Sequence, residues 1–370
     1  MRILYFTRDY TPHDYRFLSS LALTDHQIFS LQLEQRGTKL EERPLPPEIK
    51  QVSWKGGKHP AHWQDGIGLL LNLKQVINQV RPDLIHAGPI QTSALLAAST
   101  GFRPLVSMSW GSDLLYEADR NPWWQWATRY TLRRTTVLVG DCQAVRTKAE
   151  SLSFPKERII IFPWGLDLMH YSPGKGDDLR ARLGWQDAFI LLSLRSWEPV
   201  YGVDVVIRAF IEASHTLPEL RLILLGTGSQ SDLLHRLVEE NHLVERVFFN
   251  NHVSQKDLPQ YYRAADLYLS ASHSDGSSVS LMEALACGRP SLVSNIAGNR
   301  EWVTDGKEGW LFSDGDASAM AEKICWIAIN QSCLPKMGAA ARDQAEKRAD
   351  WSKNFQELLR AYEIARTESK

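Results

Sequence analysis

Short apolar runs recur along the whole chain, each followed by polar or glycine-rich residues and separated from the next by a segment of helical period. In the first half the runs are "RILYFT", "QIFSLQL", "PDLIHA", "RPLVSMSW" and "TTVLVG", with "GIGLLLNLKQVINQV" carrying apolar residues at helical spacing among them. In the second half "FILLSL", "LRLILLG", "RVFFN", "DLYLSA" and "PSLVS" alternate with the helical patterns "VDVVIRAFIEAS", "SDLLHRLVEEN", "DLPQYYRAA" and "SLMEALA". Apolar runs without polar alternation are strands buried on both faces, and their alternation with helices predicts parallel sheets joined by βαβ crossovers. The scheme occurs twice, so the chain reads as an α/β protein of two Rossmann-like, doubly wound domains in tandem. Proline and glycine cluster over residues 162–178, where periodicity lapses and the join is expected. From Ala317 onward the pattern is helical throughout.

Length agrees with this division, since 370 residues exceed what one hydrophobic core accommodates. The balance of 42 basic against 43 acidic residues leaves a net charge of −1, so no global field attracts nucleic acid and a charged ligand must be held locally. Cys142, Cys287, Cys325 and Cys333 form no C-x-x-C pair, which argues against a disulfide framework or a zinc site and suits a reducing, cytoplasmic setting. No basic-then-apolar leader precedes the first strand, and no apolar run approaches the roughly 20 residues that span a bilayer. A soluble protein, or one resting on the inner face of a membrane, is the expectation.

Doubly wound sheets bind ligands outside the carboxyl ends of their strands, so the strand exits carry the candidate chemistry. "LILLGTGSQSDLL" leaves a strand through Gly226-Thr227-Gly228, with Ser229 or Ser231 as the cap of the next helix. Such a turn either faces an anion with backbone amides or simply uses glycine where φ is positive. "LLSLRSWEPVYG" puts Arg195 at a strand tip, as a ligand-facing cation or a surface arginine. "DLYLSASHSDGSSVSLMEALACGRPSLVS" is the richest exit: small residues from Gly276 to Ser280 leave amides free at a helix start near Val279 or Ser280. Asp275 lies in that loop and Glu283 about a turn into the helix. Two carboxylates flanking an anion cradle suit a ligand with vicinal hydroxyls on both sides of a phosphate, the form of a nucleotide sugar.

These residues, with their flanks, resemble the family-4 retaining glycosyltransferases of the GT-B fold. The resemblance runs through "SLRSWEPVYGVDVVIRAF", "LILLGTG" and the stretch from "RVFFNNHV" to "GWLF", with weaker echoes in "SWGSDLL" and "RIIIFPWGLDLMHYSPG". The family hallmark, two acids separated by seven residues, is matched by Asp275 and Glu283, with Gly288 and Pro290 following. The resemblance implies two Rossmann-like domains facing a central cleft, with a final helix returning to the first domain. The domains are then 1–168 with helix 352–370 on the acceptor side, and 169–351 on the donor side. It further implies that Glu283 holds the ribose, that Asp275 faces the donor sugar, and that Gly276, Ser277, Ser278, Val279 and Ser280 serve the diphosphate and hexose. Arg195 would bind the diphosphate beside Tyr201, Gly226 and Gly228, with Asn251 and His252 near the base. Catalysis in the family is metal-independent, with positive charge and dipoles acting on the leaving group.

Three departures stand out. Tyr201 replaces the lysine that usually precedes the glycine at position 202, removing a cation from the diphosphate site and giving Arg195 more of the load, with His273 or Arg300 as helpers. Asp275 is one methylene shorter than the usual glutamate. Trp110-Gly111 stands where the family commonly has His-Gly, and a tryptophan handles no protons. Asp113 or His86 then substitutes, although His86 also reads as a core histidine and Asp113 as a helix cap. Trp110 itself reads as a sugar platform or as core. On the acceptor side, "RDYTPHDYRF" offers Arg8, His13, Asp14 and Arg16, or is a solvated loop. "NPWWQWATRYTLRR" either meets a membrane through its tryptophans and arginines or packs its tryptophans inward.

The reading that follows is a transferase moving a hexose from a nucleotide diphosphate sugar, uridine favoured over guanosine, to a hydroxyl of a glycan, a glycolipid or other lipid-linked acceptor, or a small molecule. Arg195, Asp275 and Asp113 are its catalytic candidates. Trp110, Gly111, His86, His13 and Arg16 are its acceptor-side candidates, and no metal or cofactor is called for. A non-catalytic nucleotide-sugar-binding subunit is the alternative.

Overall fold

The structure is a computed structural model that describes residues 1–35, 41–251 and 253–368. It divides into two units, Met1–Trp164 with Ser352–Lys370, and Gly165–Trp351. The fold is GT-B, each unit being a Rossmann-like layer of helices on both faces of a parallel sheet.

In the first unit the strands are β1 (Arg2–Thr7), β2 (Gln27–Gln32), β3 (Lys50–Gln51), β4 (Leu84–Ala87), β5 (Leu105–Met108), β6 (Val137–Gly140) and β7 (Ile159–Ile161). Their order is β3-β2-β1-β4-β5-β6-β7, and every pairing is parallel. Ile3 of β1 pairs with Ile28 of β2 on one side and Leu84 of β4 on the other. The order reverses there, so the crevice of this sheet lies between β1 and β4.

In the second unit the strands are β8 (Phe189–Leu194), β9 (Leu220–Leu225), β10 (Val247–Asn250), β11 (Leu267–Ser270), β12 (Ser291–Ser294) and β13 (Gly309–Phe312). The order β10-β9-β8-β11-β12-β13 reverses between β8 and β11, where Leu191 pairs with Leu267. Period-two alternation splits β8 between two cores. Phe189 and Leu191 pack with Phe210 and Ile324 on one face, Ile190 and Leu192 with Tyr262 and Leu285 on the other. The helix Val203–Ser214 starts at Gly202, whose φ of 57° suits glycine. A Cβ there would lie 2.2 Å from the Ala271 carbonyl, so glycine also lets the start of this helix meet the end of β11.

The apolar pattern did not mark β3, β7 or β13, which are two to four residues long. It also missed the helix Pro12–Ala22, in the segment read as an acceptor loop. Thr11 caps that helix and Asp14 returns the bond to the Thr11 amide, with Pro12 in the first turn. Asp14 is therefore buried, accepting also from the Tyr5 hydroxyl at 2.9 Å, and faces its own unit's interior.

Candidate active site

The second sheet's reversal point brings the exits of β8 and β11 side by side, and with them Arg195 and the loop before the helix Val279–Ala286. The Arg195 guanidinium meets Asp275 Oδ2 at 2.7 Å, the two side chains being only 10% and 15% exposed. Nη1 donates to Ser278 Oγ at 2.7 Å and to Ser280 Oγ at 3.4 Å. The face of the guanidinium lies over the Tyr201 ring, 4.2 Å from its centroid. Nε is buried without a hydrogen-bond partner among the described residues. Burial is the largest influence and opposes the charge of Arg195, yet Asp275 together with Tyr201 and Tyr268 outweighs it and the pKa stays above the ordinary arginine value. The same burial raises the Tyr201 hydroxyl, which stays neutral.

The loop is shaped from within. Asp275 Oδ1 accepts the Gly276 amide at 3.0 Å, Ser278 caps the helix, and Ser280 Oγ lies 2.7 Å from the Tyr268 hydroxyl. Ser277 Oγ accepts from Trp302 Nε1 at 3.1 Å. A Cβ on Gly298 would approach the Asp275 carbonyl to 2.6 Å, so glycine is needed for that segment to support the loop. Val279 is half-buried at the helix start. The result is a hydroxyl-rich helix N-terminus with one buried cation beside it, suited to an anion. Tyr201 is thus a stacking surface for the cation rather than a second charge.

Glu283 lies deeper. It is 3% exposed and accepts from the Tyr262 hydroxyl at 2.7 Å, and that tyrosine's pKa is driven well up by burial and then by Glu283. Cys287 is pushed up to about 12, again by burial first and Glu283 second.

The Gly226 and Gly228 turn has a packing reason of its own. A Cβ at Gly226 would lie 2.2 Å from the Arg195 carbonyl, and one at Gly228 2.4 Å from that of Trp197. Neither Ser229 nor Ser231 caps the next helix, whose N-cap is Gln230 with no side-chain bond. Instead the Ser229 amide and hydroxyl donate to the Glu198 carboxylate, the amide at 2.9 Å, so a side chain of this chain occupies the turn's donors. His273 and Arg300 do not reinforce Arg195 either: His273 Nδ1 meets Asp314 at 2.7 Å, and Arg300 donates to Asn295. Asn251 follows β10 in an exposed turn, and His252 lies outside the described residues.

In the first unit the candidates fall into two groups. His86 sits inside β4, 1% exposed, with Nδ1 2.6 Å from the Tyr362 hydroxyl and Tyr5 and Phe17 edge-on to its ring. Burial holds its pKa down to about 3, which makes it a neutral core residue and not a proton carrier. Asp113 accepts from Ser109 Oγ and the amides of Trp110 and Leu114 through Oδ1, and from the Ile90 amide through Oδ2. Burial still raises its pKa to about 6. With its lone pairs so employed, Asp113 builds the turn that bears Trp110 and Gly111, whose φ is 85°. The second group is less enclosed. Trp110 and His13 are half-buried with ring centroids 5.3 Å apart, and Trp110 Nε1 and His13 Nδ1 lack partners among the described residues. Burial and then Arg16 hold His13 down to about 3. Arg16 reaches the Trp164 carbonyl at 3.4 Å.

The helix Pro122–Arg134 leaves two of its three tryptophans outside, Trp124 being half-buried. Ala127, Thr128, Thr131 and Leu132 form its buried face, while Trp123 and Trp126 are 53% and 54% exposed. All four cysteines are free, and among the described residues no group of three His, Cys, Asp or Glu side chains could hold a metal ion.

Two protein families match. Residues 2–141 match the family described as "Glycosyl transferase 4-like", and residues 176–356 match "Glycosyl transferases group 1". The chain belongs to the family-4 glycosyltransferases of the GT-B fold and is an enzyme, a sugar transferase. Among similar proteins, the D-inositol 3-phosphate glycosyltransferase of Nocardia farcinica is 29% identical over 337 residues, covering 88% of this chain and 68% of that protein. The GDP-mannose-dependent alpha-(1-6)-phosphatidylinositol monomannoside mannosyltransferase of Mycolicibacterium smegmatis is 25% identical over 276 residues, covering 72% of this chain and 71% of the other. Of solved structures, Anabaena HepE in complex with UDP-glucose superposes with a TM-score of 0.81 at 19% identity, covering 98% of this chain and 99% of that one. The non-catalytic alternative is not favoured.

Proposed function

We propose that this transferase moves a hexose from a nucleotide diphosphate sugar to a hydroxyl of a glycan or lipid-linked acceptor, with retention at the anomeric carbon and without a metal ion. The observation that carries the reading is the buried Arg195, set among Ser278, Ser280 and the start of the helix Val279–Ala286 at the sheet's reversal point. Charge develops on the departing diphosphate, and a desolvated guanidinium with a helix dipole stabilises it more than water would. Asp275, once the diphosphate takes its place on Arg195, accepts hydroxyls of the donor sugar, and Glu283 serves the ribose. The leaving diphosphate takes the acceptor proton, which suits a first unit whose His86 and Asp113 are internal. Trp110, Gly111, His13 and Arg16 remain the acceptor-side residues.

The donor base is proposed as uridine. Guanosine is the competitor, because a relative carries GDP-mannose in its name. The exposed Trp123, Trp126, Arg129 and Arg133 support a peripheral contact with an anionic membrane, and the free cysteines support a reducing, cytoplasmic setting.

The test is thermal stability against UDP, GDP and their sugars in EDTA. A ligand at 100 times its Kd adds about 2.7 kcal/mol. A shift with a uridine sugar, followed by an NMR reading of the product anomer, supports the proposal; no shift with any of them sinks it. Sedimentation with vesicles containing phosphatidylglycerol tests the membrane contact, which fails if Trp123→Ala with Trp126→Ala sediments as the parent does.

A further inference from the structure

The first unit holds a cavity of about 840 Å³, within the size range of ligand pockets. It opens where three neighbouring strands end: Thr7, Gln32 and Gln51 are the last residues of β1, β2 and β3 and all line it. This is the carboxyl edge, where open α/β sheets bind ligands, but it lies to one side of the β1–β4 reversal point.

The lining is polar without a dominant charge. Asp9, Glu41 and Glu42 stand against Arg43 and Lys58, and Glu41 is closed on Arg43 by a 2.6 Å ion pair. The uncharged part of the polar wall is amide and hydroxyl, Gln32, Gln51, Ser30, Ser53 and Tyr10 among them. Asp9 is oriented, its Oδ1 receiving the Tyr10 amide and Gln32 Nε2, each at 2.8 Å. The Tyr10 hydroxyl, part of the same wall, is buried with no partner among the described residues. A phosphate site needs converging cations, and here one of the two is already paired. A wall of amides, hydroxyls and one oriented carboxylate instead matches a ligand that both donates and accepts hydrogen bonds at many points.

We propose that this cavity is a subsite for a neutral, polyhydroxylated ligand, a stretch of glycan on the acceptor, held by Asp9, Tyr10, Gln32 and Gln51. The proposal rests on the transferase reading above and narrows its acceptor to one carrying sugar residues remote from the reacting hydroxyl. Its occupant would be recognised by hydroxyl groups rather than by a phosphate.

Saturation-transfer NMR and calorimetry with maltotriose, mannotriose and chitotriose test it, on the full chain and on the Gln51→Trp, Ser53→Trp and Tyr10→Phe variants. Gln51 and Ser53 are exposed, so tryptophan there fills the cavity without disturbing a core. At least one trisaccharide should bind the parent, weaken about tenfold or more in the two filled variants and weaken less in Tyr10→Phe. Inorganic phosphate should not displace it, and UDP or GDP titrations should be the same for all four proteins. Binding of no trisaccharide, displacement by phosphate, or full binding in the filled variants would overturn the subsite. Failure of the parent to bind any nucleotide would count against the donor reading instead, so the two fail separately.

Discussion

The two sheets share one strand order over six strands, the first adding β7 at its edge, and use their reversal points differently. Between β8 and β11 the chain places an ion pair, two serine hydroxyls and an aromatic face at the edge of the sheet, with the charges 10% and 15% exposed. Beside β1 and β4 the comparable residues turn inward: His86 is a core residue on Tyr362, and Asp113 is employed by its own turn and by the Ile90 amide that follows β4. Topology therefore fixes where a crevice lies, but a histidine or aspartate at a strand exit is as ready to build the exit as to face a ligand. The number of backbone donors each carboxylate satisfies separates the two roles: Asp113 takes three amides, two from its own turn and one from Ile90, and Asp275 takes one.

The contrast can be broken most directly at Arg195. Arg195→Ala should cut turnover about 10²–10³-fold while the protein stays folded, the cost of removing a preorganised group from the leaving charge; steady-state rates beside a thermal melt check it. Equal loss of rate and of folding would mean that Arg195 is as structural as Asp113.

The first unit's side of the comparison is sharpened by pH. His86 and His13 are held near 3 from an ordinary 6.5, so as pH falls from 6.5 toward 3 the unfolded chain takes up protons that the folded one refuses, and stability is lost. Asp14 and Asp113, raised from 3.8 to about 6, have the opposite sign between those values, but their shifts are smaller. Net stability should therefore fall with acid. His86→Leu should make that fall shallower, while costing about 1–3 kcal/mol at neutral pH by orphaning Tyr362. Denaturant midpoints at a series of pH values decide it, and an unchanged slope would show that His86 does not resist protonation.

Tyr201 gives a smaller effect. Tyr201→Phe should keep the stack and the donor KM, whereas Tyr201→Leu should lose about 0.5–2 kcal/mol of cation–π contact, seen as a raised KM. The smallest effect has an unusual sign. Asp275→Asn should impair transfer yet bind nucleoside diphosphate more tightly, by about 1 kcal/mol or less, because a competitor for Arg195 is gone; calorimetry with UDP reads it, and weaker binding would mean that the ion pair does not compete.

Much of the second unit was legible because its determinants are close in sequence. Asp275 and Glu283 fall on one loop and helix, and the strands are continuous apolar runs. The resemblance extended this to the whole fold. Pairings made across the chain were not legible: Arg195 with Asp275, Glu198 with the Ser229 turn, and His86 with Tyr362. Nothing local marks Glu198 as the anion its own turn would hold. The tryptophans of Pro122–Arg134 misled for a different reason, since residue type suggested burial while the Ala127, Thr128, Thr131 and Leu132 spacing defined the packed face. The cap at Thr11 was readable from Thr-Pro-x-Asp, but the polar composition around it had suggested a loop.

The second unit is an insertion. The chain enters it at Gly165 and leaves at Trp351, and these points are tied together by bonds from the Leu166 amide to Ala349 and from the Trp351 amide to Leu166. Only then does the helix Trp351–Thr367 carry Tyr362 to His86. On a ribosome this reverses the usual order of maturation. The residues made first stay short of a core element until residues 352–367 emerge, whereas the inserted unit is complete earlier. Nascent chains halted before residue 352 should thus carry a protease-resistant second unit behind a protease-sensitive first one.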